Sequence, residues 1–504
     1  MKCNVFSWSR VAVPGLASIL AACGGDGGNG YMSPATAAAP ATPAPTVSFS
    51  EPSAASSINY GQSATLTWTS TNTTSCTASG SSTAGGSFTG TQAVSGTQSI
   101  VPTAPGTYTY TLNCSGAGGS MSLTAPTLTV NPNLLSTLSP TGMIPTVGST
   151  IDPTNGDQNP YGLTIAPATA GLITKGDLIV CNFNNGNTGP TPNTQGQGTT
   201  IVGLHPVAGS APYEIAQSAD LQGCNALAML ADDSISAAAW TANQDVLVSA
   251  TGAVATPFAS DTFAHPWGEA YVPATATQSA AIYVSNSPGG ASNSASGSID
   301  RIVLDGDAQT SFTEIVTGFC TSGAPGGIFG PAGLTYDAAS DTLYVIDVSS
   351  ASVVAIAGVS SITQDGIMVN GQCSGSPTPT PTPTFSGPSM SSARVIAHGA
   401  PFNTPLSAAL LSNGDLVVGN ADIGLTTPSS TTNLLIEVSP VLPGGFVGQP
   451  VQADTGAPGA LFGIAATVDA NGNQIIYFND DNSAAVMQLG PGSTAASTPS
   501  PSPY

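Results

Sequence analysis

The chain from about residue 159 to residue 489 repeats one cassette of a turn and three short strands, and this repetition restricts the possible folds more than any other feature. The clearest copy opens with the turn NPYG at 159–162, followed by an apolar strand. A second strand follows at 176–183, and a third at 199–204 after an Asn-rich turn. Repeated short strands with no helical periodicity between them predict a β-propeller.

Aligning the chain on the opening turn reveals further copies. Opening turns lie at 159–162, 265–268, 330–333, 404–407 and 459–463, second strands at 178–182, 281–286, 342–347, 415–420 and 475–480, and third strands at 199–204, 298–304, 352–358, 433–439 and 484–489. A degenerate copy lies between the first two, at about 225–256. The sequence therefore predicts six blades, with loop insertions between some of them.

The shared pattern is P-x-G, an apolar strand, a strand ending in Asn or Asp, and another apolar strand. It resembles NHL-repeat propellers, and the resemblance implies a closed ring of four-stranded blades. The last copy ends after its third strand, so one outer strand must come from elsewhere. The segment 134–148 just before the first copy is available, and we expect it to complete the last blade, because an unpaired edge strand is a liability.

The acidic composition excludes one class of partner. The chain has 27 acidic residues against five Lys and Arg, a formal net charge of -22, and only 6% charged residues. Such a surface repels polyanions, so we expect no nucleic-acid partner.

The N-terminus has the features of an export signal. Lys2 and Arg10 accompany a short apolar run at 11–20, which indicates a signal peptide over 1–22. Leu20-Ala21-Ala22-Cys23 resembles a bacterial lipobox, which implies lipidation of Cys23, and Gly24 after it implies the outer membrane. The alternative is an ordinary secreted protein in which Cys23 is incidental. Residues 23–46 read as a flexible Gly/Ala/Pro tether, and 491–504 as a disordered tail.

Residues 47–131 alternate like half-buried strands and predict a β-sandwich. With Trp68 in an early strand, Tyr108 as a candidate corner tyrosine, and Cys76 and Cys114, the stretch resembles bacterial Ig-like modules. The resemblance implies a Cys76–Cys114 disulfide and a spacer role. The predicted fold class is thus all-β: an Ig-like β-sandwich followed by a six-bladed β-propeller, residues 134–490, closed by an N-terminal strand.

Four cysteines lie in the propeller: Cys181, Cys224, Cys320 and Cys373. An exported chain favours disulfides, and proximity in sequence suggests the pairs 181–224 and 320–373, although four cysteines allow three pairings. A Pro/Thr-rich insertion at 374–392 within the fourth blade is expected to be extended and disordered.

The opening turns and the turns after the second strands share one rim of a propeller, which makes this channel mouth the candidate ligand site. The candidate residues are Tyr161, Asn182, His265, Trp267, Glu269, Asn286, Asp347, Asn420 and Asp480. Their oxygens suit a hard cation, so calcium is possible there, as the resemblance to lactonase-type and lyase-type propellers also implies. The alternative is that Asn and Asp serve the turns themselves. We commit to no cofactor, no metal ligand and no catalytic residue.

Besides a purely structural envelope protein, which would bind neither metal nor a specific ligand, two functions are compatible with the sequence. The first is a non-catalytic lipoprotein, anchored in the bacterial cell envelope through its lipid, that presents the propeller to an unidentified protein, glycan or small molecule. The second is a calcium-dependent hydrolase or lyase acting at the channel mouth. Because no nucleophile elbow, phosphate loop or cysteine metal pair is present, we favour the first.

Overall fold

The computed structural model of the chain describes residues 41–52, 56–60, 62–80, 82–138, 144–187, 191–258, 263–276, 278–288, 294–321, 330–371, 381–442 and 444–490. Cys23, the signal peptide, residues 23–40 of the tether and the segment 491–504 lie outside these residues. The described chain consists of strands and turns with one short α-helix. None of its helices is long and apolar enough to cross a bilayer.

The first unit is a β-sandwich. Its strands are β1 (Thr46–Glu51), β2 (Ser56–Asn59), β3 (Ala64–Thr71), β4 (Ser75–Gly80), β5 (Gly90–Gln92), β6 (Ser95–Ile100), β7 (Gly106–Tyr108), β8 (Tyr110–Gly116), β9 (Gly119–Thr124) and β10 (Leu128–Asn131). They form the sheets β1-β3-β6, β2-β10-β7 and β5-β4-β8-β9. Because successive side chains along a strand point to opposite faces of the sheet, Leu66, Trp68, Tyr110 and Leu112 all point inward and pack in one shared core.

The predicted disulfide between Cys76 and Cys114 is confirmed, with the two Cα atoms 4.0 Å apart. The cysteines are directly opposite each other on the neighbouring strands β4 and β8, so the bond lies within one sheet. The Tyr108 hydroxyl donates to the carbonyl oxygen of Ala104 at 2.6 Å, which fixes the turn before β7.

A helix, α1 (Leu134–Leu138), connects the sandwich to the ring. The buried Glu437 carboxylate accepts hydrogen bonds from the backbone N–H groups of Leu134 and Leu135, at 3.1 and 2.6 Å. The closing strand predicted over 134–148 therefore began too early in the chain. Its first part is helical because Leu135 and Leu138 pack into the core of the fifth and sixth blades.

The ring begins with a strand that precedes the first blade in the chain, β11 (Thr146–Ser149). Blade 1 consists of β12 (Gln158–Ile165), β13 (Leu178–Asn184), β14 (Thr200–Leu204) and β15 (Tyr213–Gln217). Blade 2 consists of β16 (Cys224–Met229), β17 (Ile235–Ala239) and β18 (Gln244–Val248). Blade 3 consists of β19 (Pro266–Val272), β20 (Ala280–Asn286), β21 (Ser294–Asp305) and β22 (Ala308–Thr321).

Blades 4 to 6 complete the ring. Blade 4 consists of β23 (Pro331–Asp337), β24 (Thr342–Asp347), β25 (Ser352–Ala357) and β28 (Ala393–His398). Blade 5 consists of β29 (Pro405–Leu410), β30 (Leu416–Asn420), β31 (Leu434–Val438) and β32 (Phe446–Gln452). Blade 6 contains β33 (Leu461–Val468), β34 (Gln474–Asp480) and β35 (Ala485–Leu489). Two strands inserted after β25, β26 (Ile367–Asn370) and β27 (Thr384–Ser386), extend the sheet of blade 3.

The predicted six-bladed propeller and its closure are confirmed. The innermost strands β12, β16, β19, β23, β29 and β33 contact one another in that order, and β33 contacts β12. β11 supplies the outer strand of blade 6 by pairing antiparallel with β35. Val147 of β11 is buried in a core shared with Leu178 of blade 1 and Val486 of blade 6. The seam is therefore both hydrogen-bonded and packed.

The insertion at 374–392 was predicted to be extended and disordered, but its described part, residues 381–392, contains regular structure. β27 pairs with β26, and a 3₁₀ turn follows at Met390–Ser392. Phe385 packs against the apolar core between blades 3 and 4, which gives this part of a Pro/Thr-rich segment a reason to order.

The propeller cysteines agree only in part with the predicted pairing. Cys320 is disulfide-bonded, and its predicted partner Cys373 lies outside the described residues. Cys181 and Cys224, predicted to be bonded, are instead buried free thiols on blades 1 and 2. They are nevertheless neighbours, since burial and then Cys181 raise the pKa of the Cys224 thiol. Proximity along the chain does not set the Cβ geometry that a disulfide requires.

Candidate functional site: the central channel

The ring has two different ends. We call the end where the inner strands begin and the second strands finish the turn rim, since Gln158 pairs there with Asn184. The other end, where inner strands finish, is the opposite rim. At the turn rim Asn159, His265 and Thr404 have φ values of 67°, 56° and 48°; the equivalent position in blade 4 is Gly330 with positive φ, and in blade 6 the positive φ falls one residue earlier, at Gly459. The opening turns therefore need left-handed backbone, which Asn and Gly tolerate best.

The residue in the middle of each P-x-G motif, or at the equivalent position, points to the ring axis. Tyr161, Trp267, Ala332, Leu406 and Phe462, from five blades, form one buried cluster with Phe183, Val348 and Ala421. We call this cluster the axial plug. The Tyr161 ring stacks between Phe183 and Phe462, with centroids 4.2 and 3.9 Å away, and lies 5.9 Å from Trp267. Because blades 1 and 3 are not adjacent, this last contact shows that the plug fills the channel.

The predicted amide residues at the turn rim are buried, and their N–H groups bond to neighbouring segments, while Asn182 Oδ1 has no partner among the described residues. The Asn182 amide donates to the Thr150 carbonyl at 2.9 Å, and the Asn420 amide to the Pro401 carbonyl at 2.9 Å. The Asn286 amide donates to Asp300 at 2.6 Å. These amides brace neighbouring turns, as the alternative interpretation of the sequence expects.

The rim carboxylates and His265 are similarly engaged. Asp347 accepts from the Ser350 hydroxyl and the Ser349 N–H, and burial raises its pKa to about 6. Asp480 accepts from the Ser483 hydroxyl at 2.6 Å, and burial raises its pKa too. The His265 ring stacks on Trp240 at 4.4 Å. Among the described residues no group of three His, Cys, Asp or Glu is arranged to hold a metal ion.

Beneath the plug lies a layer of small residues. The third position of the opening motif is Gly162, Gly268, Gly333 and Gly463 in four blades, Ala226 in blade 2 and Ser407 in blade 5. A Cβ on Gly268 would lie 2.0 Å from the Ala332 carbonyl oxygen, and one on Gly463 2.4 Å from that of Tyr161. The glycines thus allow neighbouring inner strands to touch. The same layer leaves a cavity of about 80 Å³ on the axis.

One residue of the next layer breaks the pattern. Five blades place Leu163, Leu227, Leu334, Ala408 or Ile464 there, and blade 3 places Glu269. Glu269 is 6% exposed and lines the axial cavity. The Ser236 hydroxyl lies 3.2 Å from Glu269 Oε1 and 2.9 Å from Asp245 Oδ1, both within hydrogen-bond distance. A polar cluster on blade 2 therefore replaces the apolar contact that is expected between blades.

Asp245 and Glu269, which we call the carboxyl pair, titrate abnormally. Burial raises the pKa of Asp245 to about 7. Burial, and then the charge of Asp245, raise the pKa of Glu269 well above its usual range. The side chains of Glu269 and Asp245 also hydrogen-bond each other, so the two carboxyl groups titrate as a pair. Among the described residues no Lys or Arg forms a salt bridge with either carboxyl group.

Two more polar atoms face the axial cavity without a partner among the described residues. Asn225 is 5% exposed, and its amide nitrogen donates to the Pro266 carbonyl at 3.2 Å while its Oδ1 is unpaired. Ser407 Oγ, on the far side of the ring, is buried and also unpaired. Buried polar atoms normally have a partner, and both of these atoms belong to residues that line the axial cavity, where water or a ligand can supply one.

The channel continues past Glu269 to the opposite rim. A second cavity of about 390 Å³ shares Glu269, Leu163 and Leu334 with the axial cavity. Met229 and Leu410 contribute apolar surface to its wall together with Tyr271 and Tyr336, and more of the exposed lining is polar than apolar. The channel is thus closed at the turn rim and opens at the opposite rim.

Sequence reasoning found Glu269 and missed its partners. Glu269 was placed at the turn rim with Trp267, whereas it lies two residues deeper. Asp245, Ser236 and Asn225 belong to the degenerate second blade, where alignment was weakest. The usable signal was the acidic residue after P-x-G in a position that is apolar in the other copies.

Comparisons with known proteins support no assignment to a family. No family model matches the chain, and no curated protein is similar to it. Several solved structures are similar: a gluconolactonase from Xanthomonas campestris (14% identity, TM-score 0.42, 66% of this chain and 87% of that chain), the calcium-binding protein regucalcin from Agrobacterium tumefaciens (13%, 0.42, 69% and 95%) and virginiamycin B lyase from Staphylococcus aureus (15%, 0.34, 67% and 96%). At these identities and TM-scores the similarities carry no argument about activity.

Proposed function

We propose that this protein is a cell-envelope lipoprotein whose propeller binds a small, largely apolar ligand in its central channel, entered from the opposite rim. One observation carries the proposal: the channel is closed by the axial plug, has Glu269 partway along it, and widens to a cavity of about 390 Å³ whose wall combines aliphatic side chains with polar surface. Ligand sites are typically concave and mostly apolar, with a few well-placed polar groups and a volume of about 300–1,000 Å³.

Hexan-1-ol, a neutral amphiphile that fits such a channel, tests the proposal. Ligand that binds only the folded state raises the melting temperature by mass action. We expect hexan-1-ol to raise the melting temperature of the full chain and to give saturable heat in calorimetry. Thr164→Trp, which fills the mouth of the channel, should abolish both effects.

Leu425→Trp is the matched control, because Leu425 is exposed and lies outside the channel lining. It should bind hexan-1-ol like the wild type. Equal responses from Thr164→Trp and the wild type would show that the channel is not the binding site.

The anchor is proposed from the lipobox. Mass spectrometry of protein from a bacterial envelope should find the mature N-terminus at Cys23 carrying acyl chains, and Cys23→Ser should release the protein from the membrane. An unmodified N-terminus at another position would refute anchoring and leave channel binding unaffected.

The calcium-dependent hydrolase or lyase stays the alternative. It predicts stoichiometric calcium in the purified protein, lost in Asp347→Ala and His265→Ala. A binding protein should show no calcium-dependent change in affinity for hexan-1-ol.

A further inference from the structure

We propose that the channel selects ligands with a primary ammonium head, which binds beside Glu269 under the axial plug while an apolar body extends to the opposite rim. This inference rests on the proposed function and specifies its ligand class. The contacts that carry it come from three blades and from the plug.

The first argument is the cost of the acid. Glu269 stands where the other blades have Leu163, Leu227, Leu334, Ala408 and Ile464, all compatible with a dry contact between blades. Burying a second carboxyl group, Asp245, beside it adds desolvation and like-charge repulsion. An apolar residue at 269 would be the more stable choice, so the acid has a role other than stability.

The second argument is the number and kind of free hydrogen-bonding atoms. Asn225 Oδ1 and Ser407 Oγ are unpaired and line the axial cavity with Glu269. Asn225 Oδ1 can only accept, Ser407 Oγ can accept, and each carboxyl oxygen of Glu269 has spare lone pairs. A primary ammonium group offers three N–H donors and no acceptor. These three residues come from blades 2, 5 and 3, so they surround the axis.

The third argument is electrostatic. The carboxyl pair gains a negative charge when it loses its shared proton, and no described Lys or Arg forms a salt bridge with it. Trp267, which is not stacked face to face with the other plug rings, lines the same cavity, and an indole ring attracts a cation placed over its face. A cavity of about 80 Å³ accommodates an ammonium head but not the whole ligand, so the alkyl body must occupy the wider cavity.

A series of six-carbon probes tests this inference on the full-length protein. Calorimetry with hexylammonium, hexan-1-ol, hexanoate and hexyltrimethylammonium compares heads on one alkyl chain that differ in charge, in N–H donors and, for the trimethylammonium head, also in size. We expect hexylammonium to bind at least about tenfold more tightly than the other three, since charge-assisted hydrogen bonds to buried acceptors are the strongest of these contacts.

Glu269→Gln should reduce that preference to less than about threefold. Glu269→Leu restores the residue type of the other blades and should fold well, so it keeps the test valid if the Gln variant is unstable. Binding should also release a proton from the carboxyl pair. Calorimetry in buffers of different ionisation enthalpy detects this release, and Cys181 and Cys224, the other titratable groups near the pair, are checked with Cys181→Ala and Cys224→Ala.

The outcomes separate the two proposals. If hexan-1-ol and hexylammonium bind equally, or if hexyltrimethylammonium binds best, the ammonium inference is wrong and the binding channel stands. If potassium or calcium competes with hexylammonium and binds alone, the site is one for an inorganic cation. If none of the probes binds, the proposed function itself fails.

Discussion

At the scale of residues, the carboxyl pair is the most unusual feature of the propeller. Asp245 and Glu269 are buried between two blades, and their only described hydroxyl partner is Ser236. Local sequence patterns do not predict such a pair, because its members are on different blades. Glu269 was recognised from its place after P-x-G, but its protonation state depends on Asp245, which only the packed structure brings near.

The carboxyl pair should make stability fall as the pH rises. The folded state binds the Asp245 proton more tightly than the unfolded state, with a pKa of about 7 against an unfolded value near 4. The stabilisation is thus complete below about pH 4 and is lost as the pH rises to about 7. Relative to the wild type, Asp245→Asn should gain stability across this range, by on the order of a few kcal/mol.

Urea unfolding at pH 4 to 8 measures this difference. Asp469→Asn is the control, because Asp469 is fully exposed and its pKa is lowered, and it should follow the wild type above pH 5. A constant difference between Asp245→Asn and the wild type at every pH would contradict the assignment.

The axial plug gives a second prediction at this scale. Tyr161 is buried and stacked on two rings, so Tyr161→Ala should cost about 3–5 kcal/mol. Tyr161→Phe keeps the stacking and should cost much less. Urea denaturation of the two variants distinguishes packing from the role of the hydroxyl group.

At the scale of elements, the inner strands show what the sequence could and could not predict. The repeated turn motif located five of the six inner strands, because each opening turn has a residue with positive φ near its start and four of them place a glycine where neighbouring strands touch. The second blade has Asn225-Ala226-Leu227 instead, and only its packing in the ring identifies it. The turn-rim side chains were predicted to line a site, but their positions depend on cross-blade contacts that spacing does not encode.

The glycines in the layer of small residues beneath the axial plug should be essential for the close packing of the inner strands. In Gly268→Val the new side chain would collide with the Ala332 carbonyl, which is backbone and cannot move away cheaply. We expect a loss of at least about 3 kcal/mol or failure to fold. Gly371→Val is the matched control, since no atom of the described residues lies within 4 Å of its Cβ position. Circular dichroism and urea denaturation compare the two, and equal stability would argue against tight contact between the inner strands.

At the scale of the whole molecule, the ring depends on one seam. β11 pairs with β35, and Asn479 of blade 6 donates to the Tyr161 carbonyl of blade 1 at 3.1 Å. The sequence predicted this closure because a blade lacking its fourth strand has an open edge. It could not predict α1, since a helix this short is decided by contacts with Glu437 and not by its own pattern.

A charge in the seam should open it. Val147→Asp places a carboxylate in an apolar core and should cost about 3–5 kcal/mol. Amide hydrogen exchange should then show lost protection in β35 before the other blades. Ile151→Asp, at an exposed position close by, should leave exchange in β35 unchanged. Uniform loss of protection in all blades would instead show that the ring unfolds as one unit.

The position of β11 also determines when the molecule can become complete. A ribosome makes this strand before any blade, and its partner β35 only after all the others, so the earliest strand of the ring waits for the latest one. Blades 1 to 5 can assemble as they emerge, but the circle cannot join until residue 489 has been made and, if the chain is exported, translocated. A nascent or prematurely terminated chain would therefore carry an unpaired strand immediately behind the sandwich, where chaperones or proteases could distinguish it from the finished protein.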